Sequence, residues 1–272
     1  MEMSRQWRTR SILAPPDFTT AWVDSVVANG GTVSAGRKTI VGNLINGLRT
    51  DGIFAKFDRL WLLAGENRPS ALTDIASRNL AVVVGTLTFT TDRGFTGDFT
   101  PVPANYIDSG YRENYPGNKF TLNDCHISAW AVTSCAGGYL VGEIGHAADD
   151  TSSVLDNGTL LHSDLTDANG TGPDFTYSTN LGHWLNCRVS STALTLYQNG
   201  SSVATASSVT GSLTNVSWPW FITCVNNFAD GQPENSVPGI VGAVSAGASF
   251  SAGEAVAFYN RLRTYMTAVG VP

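Results

Sequence analysis

Two carboxylates held on opposite sides of a sugar linkage would be the clearest sign of catalysis in this sequence. On a β-sandwich such a pair usually shares one face of a strand, two or four residues apart. Glu143, in the run GYLVGEIGH, is the only acidic residue predicted in mid-strand, and the residues two before and two after it are Val141 and Gly145. Asp149 and Asp150 follow in a predicted loop. The pattern predicts that Glu143 accepts a structural hydrogen bond or points to solvent, with a glycan-degrading enzyme as the alternative function.

Motifs for nucleophilic, phosphate or metal chemistry are incomplete. The segment GGTVSAGRKT, residues 30–39, lacks the lysine that follows the second glycine of a phosphate-binding loop, so we predict a helix end and a helix start there. No G-x-S-x-G elbow occurs, and none of the four histidines has a metal-binding spacing. The oxygen-rich segment SDLTDANGTGPD, residues 163–174, departs from the EF-hand spacing and predicts turns, with a calcium loop as the alternative. We therefore predict no catalytic residue, metal or cofactor.

Aromatic side chains are the remaining candidates for binding. Exposed aromatic rings present flat apolar faces that suit sugar rings, but large aromatic residues also fill the cores of β-sandwiches. Both interpretations stay open for five residues that lie in turn-rich stretches or together at the start of a strand. These candidate glycan-binding residues are Tyr111, Tyr115, Tyr177, Trp218 and Trp220.

The composition is typical of a chain with many short strands and turns. The 272 residues include 28 glycines and 14% charged residues, and the net charge is −6. Nucleic-acid binding needs clustered lysine and arginine, and none of the 16 form a run, so we expect no nucleic-acid partner. The N-terminus lacks the apolar core of a signal peptide, and no stretch reaches about 18 apolar residues. Neither secretion by that route nor a membrane span is expected.

The number and spacing of the cysteines bear on whether the chain forms disulfides. Four cysteines allow three disulfide pairings, but their spacings match no zinc motif. Because cysteine is among the most buried residue types and no export signal is present, buried free thiols are favoured over disulfides. The four residues are Cys125, Cys135, Cys187 and Cys224.

The segment LTLYQNGSSVATAS, residues 194–207, predicts a β-hairpin. Asn and Gly at 199 and 200 accept positive φ, as a type I′ turn requires. That turn places Tyr197 opposite Ser202 and Leu196 opposite Val203, with Gln198 opposite Ser201. Alternation then gives one apolar face, which includes Leu194, and one mostly polar face. The hairpin therefore predicts a sheet covered on one side only.

The first part of the chain predicts a helical hairpin. One helix runs from Asp17 to the glycines at 30 and 31, and a second runs from Ser34 to Asp51. Their apolar stripes must pack on a sheet or on a neighbouring molecule, because the hairpin alone cannot bury them. We interpret residues 1–56 as an arm and hairpin that attach the chain to a partner, and residues 57–272 as a separate sandwich domain. The candidate attachment residues are Trp7, Phe18 and Trp22.

The rest of the chain predicts strands between two further helices. A short helix is predicted over residues 70–77, and a C-terminal helix begins with a capping box of Ser251 and Glu254. From residue 79 to 250, short runs such as LAVVVGTLTF and GIVGAVSAG are separated by Gly, Asn, Asp and Pro. The predicted fold class is mainly β: an antiparallel β-sandwich of jelly-roll type with an N-terminal helical hairpin and a C-terminal helix.

Three segments resemble the laminin-G-like, concanavalin-A-like jelly roll. They are YIDSG, FTLNDCHISAWAV and HWLNCRVSSTALTLYQNGSSVATAS, and the resemblance extends over about residues 80–250. Enzymes that share this jelly roll carry an E-x-D-x-x-E strand. This sequence departs from that pattern, because Glu143 is followed by Ile144, Gly145 and His146. The resemblance therefore implies the fold and carries over no active site.

The flanking segments resemble virion proteins of tailed bacteriophages and prophages. They are AWVDSVVANGGTVS, GIFAKFDRLWLLAGENRPSALTDIASRN, TFTTDRGFTGD and FSAGEAVAFYNRLRTYMTAVG. This resemblance implies a non-enzymatic structural protein on the surface of a virion, as a head decoration, head fibre or tail fibre, assembled in the bacterial cytoplasm. It implies other virion proteins and further copies of the chain as partners, with bacterial surface polysaccharide as a ligand.

Overall fold

The chain folds into a layer of helices packed on two stacked β-sheets. The computed structural model describes residues 17–144, 151–167, 172–207, 218–227 and 231–272. No helix among these residues has the length and hydropathy that crossing a membrane requires.

Local capping interactions define the four helices. Helix α1 (Phe18–Ala28) begins after Asp17, whose carboxylate accepts the amides of Thr19 and Thr20. Helix α2 (Ala35–Thr50) begins after Ser34, and α4 (Ala252–Ala268) begins with the predicted capping box. Helix α3 (Arg68–Leu72) ends earlier than predicted, because the Asp74 carboxylate accepts the amides that follow it and turns the chain. The end of α1 at Ala28 and the start of α2 at Ala35 confirm the helix end and helix start predicted for the segment 30–39.

Short strands account for most of the remaining structure, separated by the glycine-rich and asparagine-rich turns that the sequence predicts. They are β1 (Phe57–Trp61), β2 (Val82–Val84), β3 (Thr88–Thr90), β4 (Gly94–Thr96), β5 (Tyr106–Asp108), β6 (Cys125–Ala131), β7 (Gly138–Ile144), β8 (Thr151–Asp156), β9 (Leu160–His162), β10 (Leu165–Asp167), β11 (Asp174–Thr176), β12 (Gly182–Ser190), β13 (Ala193–Gln198), β14 (Ser201–Ala206), β15 (Phe221–Ile222), β16 (Val225–Asn227), β17 (Gln232–Glu234) and β18 (Ile240–Gly247).

These strands form two sheets. The front sheet has the order β14-β13-β12-β6-β18-β4-β3, with β1 also paired to β18. The back sheet has the order β11-β9-β8-β7-β15-β5-β2, with β10 paired to β8, and β16 and β17 beside β7. Among the described strand pairs only β7 with β16 is parallel. The predicted antiparallel β-sandwich with flanking helices is confirmed.

The β13–β14 hairpin has the predicted turn, but its environment differs from the prediction. Asn199 and Gly200 have φ of 50° and 79°, and Tyr197 lies opposite Ser202. A bulge then shifts Leu196 opposite Ala204. Leu196 faces the interior of the sandwich, whereas Tyr197 is buried on the other face beneath the helices. The prediction of a sheet covered on one side is therefore wrong, because the helical layer covers the second face.

The front sheet separates two hydrophobic cores. The core between the sheets contains Trp61 and Trp184. The core between the front sheet and the helical layer contains Trp22 of α1, Trp130 of β6 and Phe258 of α4. Residues on both sides of position 56 therefore share one core, and the described part of the hairpin is not a separate unit. The apolar stripes of α1 and α2 pack against the chain's own front sheet. Trp22 is only 2% exposed and is therefore not available to a partner.

All four cysteines are free and buried, as predicted. Burial raises the pKa of the Cys135 and Cys187 thiols to about 12. These thiols are therefore protonated and unreactive at neutral pH.

Candidate functional site

Five connections meet at one end of the sandwich, which we call the cleft end. Strand directions place them together: β4, β6, β8, β11 and β17 all finish here. The connections are residues 97–105, 132–137, 157–159, 177–181 and 235–239. Binding residues concentrate on such loops because a rigid scaffold positions them.

Tyr177 lines an open cleft at this end. The cleft has a volume of about 500 Å³, and its walls come from the β6–β7, β8–β9 and β11–β12 connections. Its lining mixes hydroxyl groups with apolar side chains: Thr133, Ser134, Ser178 and Thr179 stand beside Val132 and Leu181. None of the described residues that line it carries a charge.

A buried carboxylate beneath the cleft holds its wall in place. Asp156 is 1% exposed and accepts hydrogen bonds from the Tyr177 hydroxyl (2.5 Å) and the Asn180 amide (2.7 Å). The same Asn180 amide donates to Ser134 Oγ at 2.9 Å, which ties two walls of the cleft together. The Tyr177 ring also packs against Trp184, with ring centroids 6.2 Å apart. Tyr177 is therefore fixed by contacts at both its ring and its hydroxyl group, and burial together with the Asp156 carboxylate holds the pKa of that hydroxyl above its usual range.

Tyr111 and Trp220 are core residues. Both are 0% exposed. The Tyr111 hydroxyl donates to Asp58 at 3.2 Å, and Trp220 Nε1 donates to Glu113 at 2.9 Å. Burial raises the pKa of Tyr111 well above its usual value. The prediction of an exposed glycan-binding surface is wrong for these two residues, because the two sheets enclose them.

Tyr115 and Trp218 are exposed but lie at the opposite end of the sandwich. Tyr115 is 64% exposed and follows β5, whereas Trp218 is 39% exposed and precedes β15, which pairs antiparallel with β5. Tyr111 and Trp220 meet only in the core, where their ring centroids lie 5.0 Å apart, and Tyr177 lies at the other end of the sandwich from Tyr115 and Trp218. Only Tyr177 lies at the cleft end.

Phe18 is the one described attachment residue that remains partly accessible; Trp7 lies outside the described residues. Phe18 lines a groove of about 440 Å³ with Phe54 and Arg49. The two rings meet edge to face at 5.1 Å, and the Arg49 guanidinium lies 5.1 Å from the Phe18 ring centroid.

Glu143 is enclosed in the back sheet. It is 0% exposed, and its neighbours across the strands are Ser152 of β8 and Asn226 of β16. The prediction that it could point to solvent is wrong. Asp149 and Asp150 lie outside the described residues.

The oxygen-rich segment supplies two carboxylates to a histidine. His162 Nδ1 contacts Asp174 Oδ1 at 2.5 Å, and Nε2 contacts Asp164 Oδ1 at 2.9 Å. Burial lowers the pKa of His162, but the two carboxylates outweigh it and raise the pKa to about 9. Among the described residues, no group of three or more His, Cys, Asp or Glu side chains could hold a metal ion.

Sequence reasoning did not single out two exposed apolar residues at the cleft end, Phe99 and Leu181, which are 59% and 42% exposed. A signal was present for Phe99, because it precedes a segment with two prolines, at 101 and 103. Such a segment is predicted to form a stiff surface loop rather than a strand.

No protein-family model matches this chain, and no curated protein sequence matches it. Solved structures with a similar fold include the receptor-binding domain of botulinum neurotoxin C/D mosaic serotype (TM-score 0.53, 13% identity, 76% of this chain and 52% of that chain). A structure of botulinum neurotoxin type C has a TM-score of 0.50 at 11% identity, over 78% of this chain and 53% of that chain. A mutant Trypanosoma rangeli sialidase with trans-sialidase activity has a TM-score of 0.50 at 10% identity, over 85% of this chain and 40% of that chain. The chain thus spans about half of the neurotoxin domains, and these similarities establish a shared β-sandwich fold.

Proposed function

We propose that this chain is a non-enzymatic glycan-binding protein displayed on the surface of a bacteriophage particle, and that the Tyr177 cleft receives the sugar. The single observation that carries the sugar-binding proposal is the fixed aromatic ring of Tyr177 at the wall of an open cleft. Sugar rings combine an apolar C–H face with peripheral hydroxyl groups. The aromatic ring in the cleft can stack on the apolar C–H face of a sugar. The four exposed hydroxyl side chains can form hydrogen bonds with the hydroxyl groups of the sugar.

The fixed geometry of the cleft favours binding. Ordering a flexible loop on association costs about 0.5–1.5 kcal/mol for each immobilised side chain. Hydrogen bonds to Asp156 and Ser134 already order Tyr177 and Asn180. Weak binding at such a site gains strength when many copies are displayed on one particle.

Two further considerations support the wider proposal. Botulinum neurotoxin type C shares the fold, and its cell entry depends on interaction with two ganglioside molecules, so a related sandwich serves a protein that binds carbohydrate-bearing lipids. The virion location rests on the resemblance of the flanking segments to phage virion proteins.

Binding of the purified protein to an array of bacterial surface polysaccharides tests the sugar site. We expect binding by the wild type, loss of at least about tenfold in affinity for Tyr177→Ala, and retention for Tyr177→Phe, which keeps the ring. Tyr115→Ala is the matched control, because it removes an exposed tyrosine from the opposite end. Absence of any glycan binding, or equal loss in the Tyr115 control, would contradict the proposal.

The enzymatic alternative has its own test. Carboxylates that act on a sugar must flank it, and the described residues that line the Tyr177 cleft include none. Incubation with each bound polysaccharide should release no new reducing ends. Release that disappears in Glu143→Gln would favour the glycosidase instead.

Attachment to a particle is tested by deletion of residues 1–16, since Trp7 belongs to that segment and Phe18 lies just beyond it. We expect the shortened chain to fold and to be absent from purified particles. Normal incorporation into particles would contradict attachment through this segment.

A further inference from the structure

A second cleft adjoins the Tyr177 cleft at the same end of the sandwich. It has a volume of about 320 Å³ and is lined by Phe99, Thr100, Pro101, Gly137, Asn235 and Ser236. Its chemistry is similar to that of the Tyr177 cleft: an exposed aromatic ring, two hydroxyl groups and a carboxamide, with no charged residue among the described residues that line it.

Phe99 is held in an unusual conformation. Its φ is 45°, in the left-handed region that a bulky side chain rarely adopts, and its side chain is 59% exposed. Burial of its ring in the core therefore does not offset the cost of this conformation. Strain of this kind persists where the surroundings impose it, and it concentrates at binding sites.

Hydrogen bonds on both sides fix the backbone around Phe99. The Asp98 amide donates to Ser236 Oγ at 2.8 Å, and the Ser236 amide donates to the Thr100 carbonyl at 3.2 Å. The Asn235 amide donates to the Pro101 carbonyl at 2.9 Å. The ring is thus presented to solvent by a rigid segment, and no reordering of that segment is needed for a ligand to stack on it.

The linings of the two clefts are adjacent along the chain, at residues 136 and 137. Ala136 lines the Tyr177 cleft and Gly137, the next residue, lines the Phe99 cleft. A Cβ atom at Gly137 would lie 3.5 Å from Phe99 Cε2. Because Gly137 has no side chain, the space beside the Phe99 ring stays open at this point.

From this adjacency and the uncharged linings we infer that the ligand is a linear, neutral oligosaccharide that spans both clefts, with one sugar beside Tyr177 and another stacked on Phe99. This inference rests on the proposed function, because it assigns a second subsite to the same glycan. The inference makes two demands that the proposed function does not. The affinity must rise with the length of the oligosaccharide until both clefts are filled, and acidic groups on the sugar must contribute nothing to the affinity.

The test is isothermal titration of size-fractionated oligosaccharides, from monosaccharide to octasaccharide, prepared from neutral glucans, mannans and galactans. For the wild type we expect affinity to rise by at least about tenfold between the shortest ligand that binds and the longest. Phe99→Ala should abolish that rise and leave the short ligands unaffected, whereas Phe99→Tyr should preserve it. Val102→Ala is the matched control, since it removes an apolar side chain that is 71% exposed on the same connection.

The outcomes separate the two proposals. No binding of any glycan by the wild type overturns the proposed function and this inference with it. Binding that Tyr177→Ala removes but Phe99→Ala leaves unchanged at every length overturns the second subsite alone. Binding restricted to acidic polysaccharides also overturns it, because neither cleft has a cation on its described walls.

Discussion

At the scale of single residues, carboxylate partners decide whether a buried histidine carries a charge. His126 is fully buried, and burial lowers its pKa to about 4. His162 is nearly as enclosed, yet contacts with Asp164 and Asp174 keep its imidazole charged at neutral pH. The pKa of a buried histidine therefore depends here on its charged partners more than on its burial.

The raised pKa of His162 predicts a loss of stability at alkaline pH. Protonated His162 stabilises the folded state fully below the unfolded pKa of about 6.5, and this contribution is lost as the pH rises through the folded value of about 9. Because Asp174 is largely exposed, solvent screening reduces the effect to about 2 kcal/mol. Urea unfolding at pH 6 and pH 9 measures it. His162→Gln should remove this pH dependence; an unchanged dependence in the variant would assign the loss to other groups.

At the scale of elements, short-range signals account for the local structure. Asp17, Ser34 and Ser251 cap the helices that their spacing predicts. The Asn199–Gly200 turn forms as predicted, because both residues accept positive φ. The bulge between Leu196 and Tyr197 could not be predicted, since it depends on how β14 fits against the rest of the front sheet and α4.

Replacement of Gly200 tests whether the hairpin turn depends on a residue that accepts positive φ. Gly200 has φ of 79°, and a Cβ atom there would lie 3.2 Å from Tyr259 of α4. We expect Gly200→Ala to lower the free energy of unfolding by about 1–2 kcal/mol, through backbone strain and the close contact. Gly36→Ala is the control: its Cβ atom would meet nothing within 4 Å, so stability should stay the same or rise by up to about 1 kcal/mol. Equal effects of the two substitutions in urea unfolding would contradict it.

At the scale of the whole molecule, the front sheet joins all three layers into one structure. Its strands supply Trp184 to the core between the sheets and Trp130 to the core beneath the helices. Damage to the helical layer should therefore destabilise the sandwich as well, and the helices should not unfold independently.

Trp22→Ala provides that test. Trp22 is buried, and its Nε1 donates to the Thr73 carbonyl at 3.1 Å. We expect a loss of about 3–5 kcal/mol and a single unfolding transition, with helix and sheet signals changing together in circular dichroism. Val256→Ala, on the exposed side of α4, should change stability by less than about 0.5 kcal/mol. A variant whose sheet signal keeps the wild-type midpoint would show that the helical layer is a separate unit.

The sequence by itself determined the boundaries of α1, α2 and α4, the hairpin turn, the free thiols and the antiparallel sandwich, because each depends on residue type, on neighbours within a few positions or on a simple alternation. Only the tertiary structure decided which aromatic residues reach solvent. Trp220 is enclosed by Tyr111 and Phe120, and Trp22 by the segment around Thr73, all distant along the chain. Exposure is a property of contacts between distant segments, so the clefts lined by Tyr177 and by Phe99 could emerge only from the folded chain.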